Sequence, residues 1–372
     1  MALNPRLVKE SFAHIEPHGA KAAAYFYGRL FAVDPRLRRL FPPALDVQRD
    51  RLFAALTRIV WSLDSPGTLA GFLGQLGRDH RKYGVTAEHY AAVGEALLAT
   101  VRRFAADAWT PEVAAAWTEA YAVASSIMID AAADDGGDAP AWWPAEVVGH
   151  ERRTGDIAVV TLRPATPLPY EPGQYVTLQT TRWPRVWRAF SIANAPRPDN
   201  TLTLHVRAVP GGWVSTTLTA HTQVGDTVTL GPALGGMRPP ADPGRDVLAV
   251  AGGTGLAPLK AIIEHLLAAD RQPTIDLLYG ARHAGELYDL PDLTRLQAEC
   301  PRLRVLPVVS DDPGYGGLRG RLPDVVSRFR PWNRHTAYVC GPPAMVEETV
   351  RHLRRDGVPL DHIHRDLTPG ER

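Results

Sequence analysis

Cysteine is scarce in this chain of 372 residues: there are two, Cys300 and Cys340, far apart and without a CxxC pair. This excludes a disulfide scaffold, a cysteine zinc site and a four-cysteine iron–sulfur cluster within the chain. No run of about 18 apolar residues occurs, so the sequence predicts no membrane span. The start, MALNPRLVKESF, lacks the apolar core and cleavage site of a signal peptide. We therefore expect a cytoplasmic protein.

An excess of charge of one sign is also missing. The chain has 41 basic and 40 acidic residues, for a net charge of +1. This balance gives no reason to expect nucleic acid or an acidic surface as a partner. Apolar residues make up 45% of the chain, and the length suits two or three domains of roughly 100–200 residues each.

Three different sequence patterns follow one another along the chain. Residues 1–135 show apolar residues at helical spacing in five segments. The stretch "DDGGDAPAWWP" that follows is acidic and rich in Gly and Pro, and its residues 136–144 are expected to be a linker. Residues 145–240 show short alternating strands separated by Pro and Gly, which predicts an antiparallel barrel. In residues 241–372 buried strands alternate with helices, which predicts an α/β domain with a parallel sheet.

The last of these domains contains two loops that each join a buried strand to a helix. The first is "AVAGGTGLAPLKAII", in which Gly252, Gly253 and Gly255 let the backbone approach a phosphate or a ring, next to a helix N-terminus. The third glycine of the GxGxxG fingerprint is missing. Taken alone, the loop is also compatible with a tight strand-to-helix turn. The second loop is "YVCGPPAMVEETV".

Together the two loops resemble the nicotinamide half of the ferredoxin–NADP reductase family, in which both flank the nicotinamide. The resemblance assigns NAD(P) binding to Gly253, Thr254, Gly255, Leu256, Ala257, Pro258, Cys340, Gly341 and Pro342.

The barrel resembles the flavin half of the same family. It has "EPGQYVTL", then "RAFS", then "PGGWVSTTL" in the family's order. The resemblance implies an arginine on the FAD pyrophosphate, an aromatic ring against the isoalloxazine and a hydroxyl donor at its edge. The FAD residues that it assigns are Tyr175, Arg188, Ala189, Phe190, Ser191, Gly212, Val214 and Ser215.

The first domain resembles the globin of the flavohaemoglobins, whose order of globin, FAD barrel and NAD(P) domain covers essentially the whole chain. In "RDHRKYGVTAEHYAAVGEALL" the resemblance makes His80 the proximal ligand of the haem iron and places Tyr90 on the same side. His89 is the competing histidine, expected on a helix surface. The other residues implied are Tyr27, Gln48 and Leu52 on the distal side and Phe41 against the haem.

The resemblance implies an NAD(P)H-dependent nitric oxide dioxygenase with haem b, FAD and NADH or NADPH. Electrons would pass from NAD(P)H through FAD to haem, where NO and O2 become nitrate, with Tyr27 and Gln48 as donors. The partners are then small molecules, without nucleic acid or membrane, and the protein is a monomer or weak dimer. Two alternatives stay open: an oxidoreductase for a hydroperoxide or small metabolite, and a self-reducing globin that binds or senses a gas.

Two features depart from the family pattern. Where the family has a glutamate near the end of the last globin helix, this chain has Ala131 and Ala132, with Asp130 and Asp134 nearby. Without that carboxylate the proximal imidazole is less basic, which raises the haem potential and weakens peroxidase-like chemistry. Asp130 is a possible substitute.

The chain also ends in "HIHRDLTPGER", without the aromatic residue that covers the flavin in relatives. The flavin face is then open or covered by another group. The choice between NADH and NADPH stays open as well, because Arg282 can meet an adenosine 2′-phosphate or pair with Glu286.

Overall fold

The computed structural model describes residues 4–134, 140–240, 244–269, 273–329 and 331–366. The chain divides between Trp142 and Trp143 into two compact units. The predicted linker lies at this division, and its residues 136–139 are outside the described residues. No helix in the described ranges is long and apolar enough to cross a membrane.

The first unit consists of six helices within its described residues. They are α1 (Pro5–Ala13), α2 (Gly19–Val33), α3 (Asp46–Trp61), α4 (Pro66–His80), α5 (His89–Ala105) and α6 (Pro111–Asp134). The helical spacing predicted α2 to α6. It did not predict α1, which starts at Pro5 after the cap residue Asn4. The helices share one apolar core, which includes Phe12, Phe26, Leu30, Leu73, Val101 and Trp117.

The second unit begins with a six-stranded antiparallel sheet. Its elements are β1 (Trp143–Arg152), β2 (Ile157–Pro164), β3 (Tyr175–Thr180), β4 (Arg188–Ser191), β5 (Leu202–Arg207), α7 (Trp213–Ala220) and β6 (Thr227–Leu234). The strand order is β4-β3-β6-β1-β2-β5, and an isolated bridge between Ile192 and Leu204 brings the two ends together. The predicted barrel and its β1–β2 hairpin are confirmed. Two corrections apply: β1 already includes Trp143 and Pro144, the last two residues of the predicted linker, and α7 is a helix where a loop was expected.

The rest of the unit is the predicted α/β part. Its elements are β7 (Val247–Gly252), α8 (Leu256–Leu267), β8 (Ile275–Ala281), α9 (Leu290–Glu299), β9 (Leu303–Val309), β10 (Leu318–Arg319), α10 (Leu322–Val326), β11 (Thr336–Cys340), α11 (Pro343–Arg355) and β12 (Ile363–Arg365). The strands form one parallel sheet in the order β10-β9-β8-β7-β11-β12. All residues of β7 and β11 are buried, because helices cover both faces.

Candidate functional site

His80 is the last residue of α4, and its ring is fixed by its own helix. The imidazole Nδ1 lies 2.7 Å from the carbonyl oxygen of Leu76, one turn earlier. Burial lowers the pKa of His80, which favours the neutral ring. In a neutral ring the nitrogen that faces a carbonyl carries the proton, so Nε2 keeps a lone pair. This is the tautomer that an iron atom binds, and His80 therefore fits the role of haem ligand.

The charges next to His80 belong to its own chain segment. Lys82 is buried and forms an ion pair with Asp79. Asp79 raises the pKa of His80 and Lys82 lowers it, while burial has the largest effect. The two charges thus oppose each other, and burial sets the direction of the pKa shift, toward the neutral imidazole.

Three of the residues expected at the haem lie together. The rings of Tyr27 and Phe41 meet edge to face, with centroids 5.4 Å apart. The Tyr27 hydroxyl lies 3.4 Å from the main-chain oxygen of Gln48, a long separation for an O–H···O bond. Burial raises the pKa of Tyr27, so its hydroxyl keeps its proton. The Tyr27 phenol is therefore a donor in a weak contact and can turn to a better acceptor.

Leu52 lies on α3, one turn after Gln48, and lines a small apolar cavity of about 20 Å³. The cavity lies between side chains of α1, α2, α3, α5 and α6. Besides Leu52, its lining includes Phe12, Phe26, Phe53, Leu97 and Val101. Leu52 thus packs against the same apolar core that contains Tyr27.

Tyr90 lies in the first turn of α5 and packs against the helical core. Burial raises its pKa, and its carbonyl accepts a 2.5 Å hydrogen bond from the Tyr121 hydroxyl on α6. Within the described residues, no hydrogen bond or ring contact joins Tyr90 to His80.

His89, the competing histidine, is half-buried at the first position of α5. Its Nδ1 accepts a hydrogen bond from the Thr86 main-chain N–H at 3.0 Å, so this ring nitrogen already has a partner in its own chain segment.

The missing glutamate falls where α6 packs closely on α4. A Cβ atom added at Gly77 would lie 2.2 Å from the carbonyl oxygen of Met128, and one added at Gly74 would lie 3.6 Å from the Cβ of Ala131. Small residues therefore fill this contact. Asp130 does not replace the glutamate: it is exposed and accepts a hydrogen bond from Ser126 at 3.2 Å.

In the barrel, the register of β3 and β4 brings two of the predicted flavin motifs side by side. Tyr175 pairs with Ser191, and Leu178 pairs with Arg188. Arg188 and Ser191 are half-buried, and an Arg188 Nη1 hydrogen bond to the Trp187 carbonyl holds the guanidinium at the start of the strand. The motifs therefore supply a cation at one end of β4 and a hydroxyl beside a tyrosine at the other.

The third flavin motif forms the start of α7. Gly212 precedes the helix and offers no side chain to cap it, so its first N–H groups are suited to a phosphate. This uncapped start fits an FAD pyrophosphate. The resemblance assigned Val214 and Ser215 to FAD, but their side chains have other contacts. Val214 is in the barrel core, and the Ser215 hydroxyl lies 3.3 Å from both the Val209 nitrogen and the Gly212 oxygen.

The two nicotinamide loops are packed backbone against backbone. β7 and β11 are parallel neighbours, and Ala251 pairs with Cys340. A Cβ atom at Gly255 would lie 2.5 Å from the Cys340 oxygen, and one at Gly341 would lie 3.0 Å from the Gly252 Cα. Glycine is needed at these positions because no side chain fits between the loops, and the bare backbone fits the close approach of a nicotinamide dinucleotide.

Several residues assigned to NAD(P) contribute their backbone at most. The side chains of Leu256, Ala257, Pro258 and Cys340 are buried. The Cys340 thiol lies 3.7 Å from the Met237 sulfur. Gly253, Thr254, Gly255 and Gly341 are half-buried, and Pro342 is exposed. These five residues form the accessible part of the two loops.

Arg207 is a residue that the sequence analysis missed. It is the last residue of β5, and its Nη2 lies 3.5 Å from the position of a Cβ on Gly253. Its side chain is 29% exposed, and its partner Asp156 is 3.7 Å away. The signal was present in the sequence: in "LTLHVR" the apolar residues face the barrel, which places Thr203, His205 and Arg207 on the opposite face.

Polar contacts hold the barrel against the α/β part. His205 Nδ1 lies 2.8 Å from the Tyr288 hydroxyl, and Arg153 pairs with Asp292 at 2.8 Å. Farther along, the Ala195 N–H donates to Glu264 at 3.1 Å. These contacts fix β5, and with it Arg207, relative to the glycine loop.

Arg282 lies beside Glu286, one of the two partners expected for it from the sequence. Arg282 follows β8, its main-chain N–H donates to Glu286 at 3.2 Å, and its guanidinium lies 3.6 Å from the same carboxylate.

Near the C-terminus, the imidazole of His364 stacks on Tyr338 with centroids 4.8 Å apart. The final stretch, residues 367–372, lies outside the described residues.

Comparisons with known proteins agree with this arrangement. The globin family model matches residues 24–128, the oxidoreductase FAD-binding domain residues 144–238, and the oxidoreductase NAD-binding domain residues 249–351. The flavohemoprotein of Bordetella pertussis is 30% identical over 393 residues, covering 97% of this chain and 96% of that protein.

Two solved structures have a similar fold. Flavohemoglobin from Malassezia yamatoensis, with bound FAD and heme, has a TM-score of 0.78 at 21% identity and covers 97% of this chain and 98% of that one. The FAD/NAD-binding domain of a nitric oxide dioxygenase from Vibrio cholerae has a TM-score of 0.55 at 22% identity, covering 61% and 98%. Because the curated relative matches over nearly its whole length and all three domain models match in order, the chain belongs to the flavohemoprotein family.

Proposed function

We propose that this flavohemoprotein is an NAD(P)H-dependent nitric oxide dioxygenase. The reaction joins NO, O2 and one electron into nitrate. Because NAD(P)H gives up two electrons, each NAD(P)H supports the conversion of two NO molecules. The reductase half supplies the electrons, and the globin half supplies the site where the two gases meet.

FAD and haem would supply different parts of the chemistry. When bound, FAD takes a hydride and releases single electrons, and haem supplies the iron at which O2 is activated. In the second unit, Arg188 and the start of α7 would hold the FAD phosphates, and Ser191 would donate to the flavin edge. The loops at Gly253 and Gly341 would hold the nicotinamide dinucleotide, and Arg207 would face the phosphates of this dinucleotide.

The observation that carries the proposal is the buried phenol of Tyr27. It keeps its proton, and its present contact to Gln48 is long. A donor of this kind stabilises negative charge that develops on an oxygen atom during a reaction. A globin that only binds gas would use the reductase half solely to keep its iron ferrous, whereas a dioxygenase needs electrons in every turnover. The complete flavin and nicotinamide motifs therefore favour catalytic turnover over gas binding.

The test is the rate of NO loss at an electrode, with protein loaded with haem and FAD. We expect loss that requires both NADH and O2. Tyr27→Phe keeps the ring packing against Phe41 and removes the hydroxyl, and we expect it to lower the NO turnover rate about a hundredfold. Reduction of ferricyanide by NADH, which does not involve the globin, should be unchanged in this variant.

Other outcomes would replace the proposal. NADH oxidation driven by an organic hydroperoxide but not by NO would favour the peroxidase alternative. Gas binding without sustained NADH oxidation would favour the gas-binding alternative.

A further inference from the structure

Two tryptophans stack at the surface of the barrel. The rings of Trp183 and Trp213 have centroids 4.7 Å apart and an angle of 25° between their planes. Trp183 is half-buried, and its Nε1 donates to the Thr217 hydroxyl on α7 at 3.0 Å. Trp213 remains 41% exposed. A fixed ring thus supports one face of Trp213, while much of its remaining surface is open to solvent.

The position of this pair is next to the expected phosphates of FAD. Trp213 is the first residue of α7, directly after Gly212 at the uncapped helix start. Trp183 lies in the β3–β4 loop, five residues before Arg188. The stretch "TRWPRVWR" that contains it has three arginines and no acidic residue. The stacked rings therefore lie at the helix start that we assign to the pyrophosphate, and Trp183 belongs to the loop that leads into Arg188.

In FAD the pyrophosphate is joined through one ribose to adenine. Adenine must therefore lie within one sugar of the phosphates, and it has a flat aromatic face. Stacking of a base on an aromatic side chain is favourable and needs no hydrogen-bond partner for the base. A large aromatic ring that is backed on one side and open to solvent provides such a surface.

We propose that Trp213, supported by Trp183, is the stacking platform for the adenine of FAD. The proposal rests on the FAD position assigned above. The platform makes the protein prefer FAD over FMN, because FMN carries the same isoalloxazine and a phosphate but no adenine. Trp213 is then a positioning residue for the cofactor and takes no part in hydride transfer.

The experiment measures flavin affinity in the full chain after the flavin has been removed. FAD and FMN are titrated separately, with flavin absorbance as the signal. We expect Trp213→Leu to raise the Kd for FAD about tenfold and to leave the Kd for FMN unchanged. Trp213→Phe, which keeps a ring, should retain most of the FAD affinity. Trp61→Leu, at a tryptophan that is 48% exposed in the helical unit, is the matched control and should change neither value.

FMN binding also reports folding of the barrel, so a misfolded variant is recognised by loss of both flavins. Equal weakening of FAD and FMN in both Trp213 variants would overturn the platform and show a structural role for the ring. An unchanged Kd for FAD in Trp213→Leu would also overturn it. Failure of the unaltered protein to bind either flavin would overturn the FAD assignment as well. Because no turnover is measured, these results are independent of the NO reaction.

Discussion

The Nδ1 atom of His80 lies 2.7 Å from the carbonyl oxygen of Leu76, one turn back on α4. This contact orients the imidazole before any iron binds and fixes which nitrogen carries the proton. The proposed function requires a protein ligand for the haem iron, and His80 is the residue that we expect to supply it. Electron transfer to the globin half therefore depends first on His80.

Replacing His80 by Ala should abolish haem binding at a one-to-one ratio, because the iron loses its protein ligand. The Soret absorbance of the purified variant measures this directly. Reduction of FAD by NADH should persist, since the flavin and nicotinamide motifs lie in the other unit. Adding free imidazole should restore part of the Soret band.

His89→Ala is the matched control, because His89 is the competing histidine and its ring is used to start α5. It should bind haem normally. Normal haem content in His80→Ala combined with its loss in His89→Ala would reverse the assignment.

Gly77 tests the close packing of α4 on α6. Gly77→Ala puts a Cβ atom 2.2 Å from the Met128 carbonyl oxygen, and backbone atoms cannot move aside easily. We expect the free energy of unfolding of the helical unit to fall by about 2 kcal/mol or more. Gly71, on the same helix, has nothing within 4 Å of its added Cβ, so Gly71→Ala should stabilise the unit by roughly 0.5–1 kcal/mol. Urea unfolding followed by helical circular dichroism gives the free energy of unfolding of both variants. Equal changes in Gly77→Ala and Gly71→Ala would show that the helices do not meet at Gly77.

Arg207 should contribute to dinucleotide binding through the phosphates. We expect Arg207→Met to raise the KM for NADH about tenfold in ferricyanide reduction, with a smaller effect on kcat. Arg207→Lys should recover part of the affinity, since it keeps the charge but loses the planar fork. Arg163→Met removes an exposed arginine from β2 and serves as the control. An unchanged KM in Arg207→Met would limit this arginine to its contact with Asp156.

His205 gives the reductase half a defined dependence on pH. Burial lowers its pKa well below the usual value, with further lowering by Lys260 and Arg153. The folded state thus keeps the ring neutral, while the unfolded chain takes up a proton as the pH falls below about 6.5. Stability should therefore be complete above pH 6.5 and decrease below it, by up to about 1.4 kcal/mol per pH unit from this group.

The measurement is unfolding of the holoprotein at pH 7.5 and 5.5, followed by release of flavin fluorescence. His205→Gln removes the titration and should reduce the loss of stability between the two pH values. His221→Gln, at an exposed histidine after α7, should not. If His205→Gln and the unaltered protein lose the same stability, other groups cause the pH dependence.

The fold was predictable where burial has a regular period. Helices α2 to α6 repeat apolar residues every three to four positions. The strand β7 is an unbroken apolar run, and β11 is apolar after Thr336. The helix α1 was missed because it is short. The helix α7 was missed because two glycines and a run of threonines favour a loop locally. The barrel core holds Val214 and Leu218, and this packing overrides that preference.

The sequence motifs predicted which loops form the site, but not which of their side chains are accessible. The glycines of the two nicotinamide loops were assigned from the sequence, and they lie backbone to backbone. Leu256, Ala257 and Pro258 were assigned with them, although their side chains belong to the core. The sequence analysis did not identify Arg207 and Trp183. Their partners, Gly253 and Trp213, are distant in sequence and come next to them only in the folded chain.

The central claim is best tested by the stoichiometry of the reaction. Protein loaded with haem and FAD is given limiting NADH with excess NO and O2, and nitrate is measured against the NADH consumed. We expect two nitrate ions for each NADH, with one O2 used for each NO. NADH oxidation that consumes O2 without forming nitrate would contradict it.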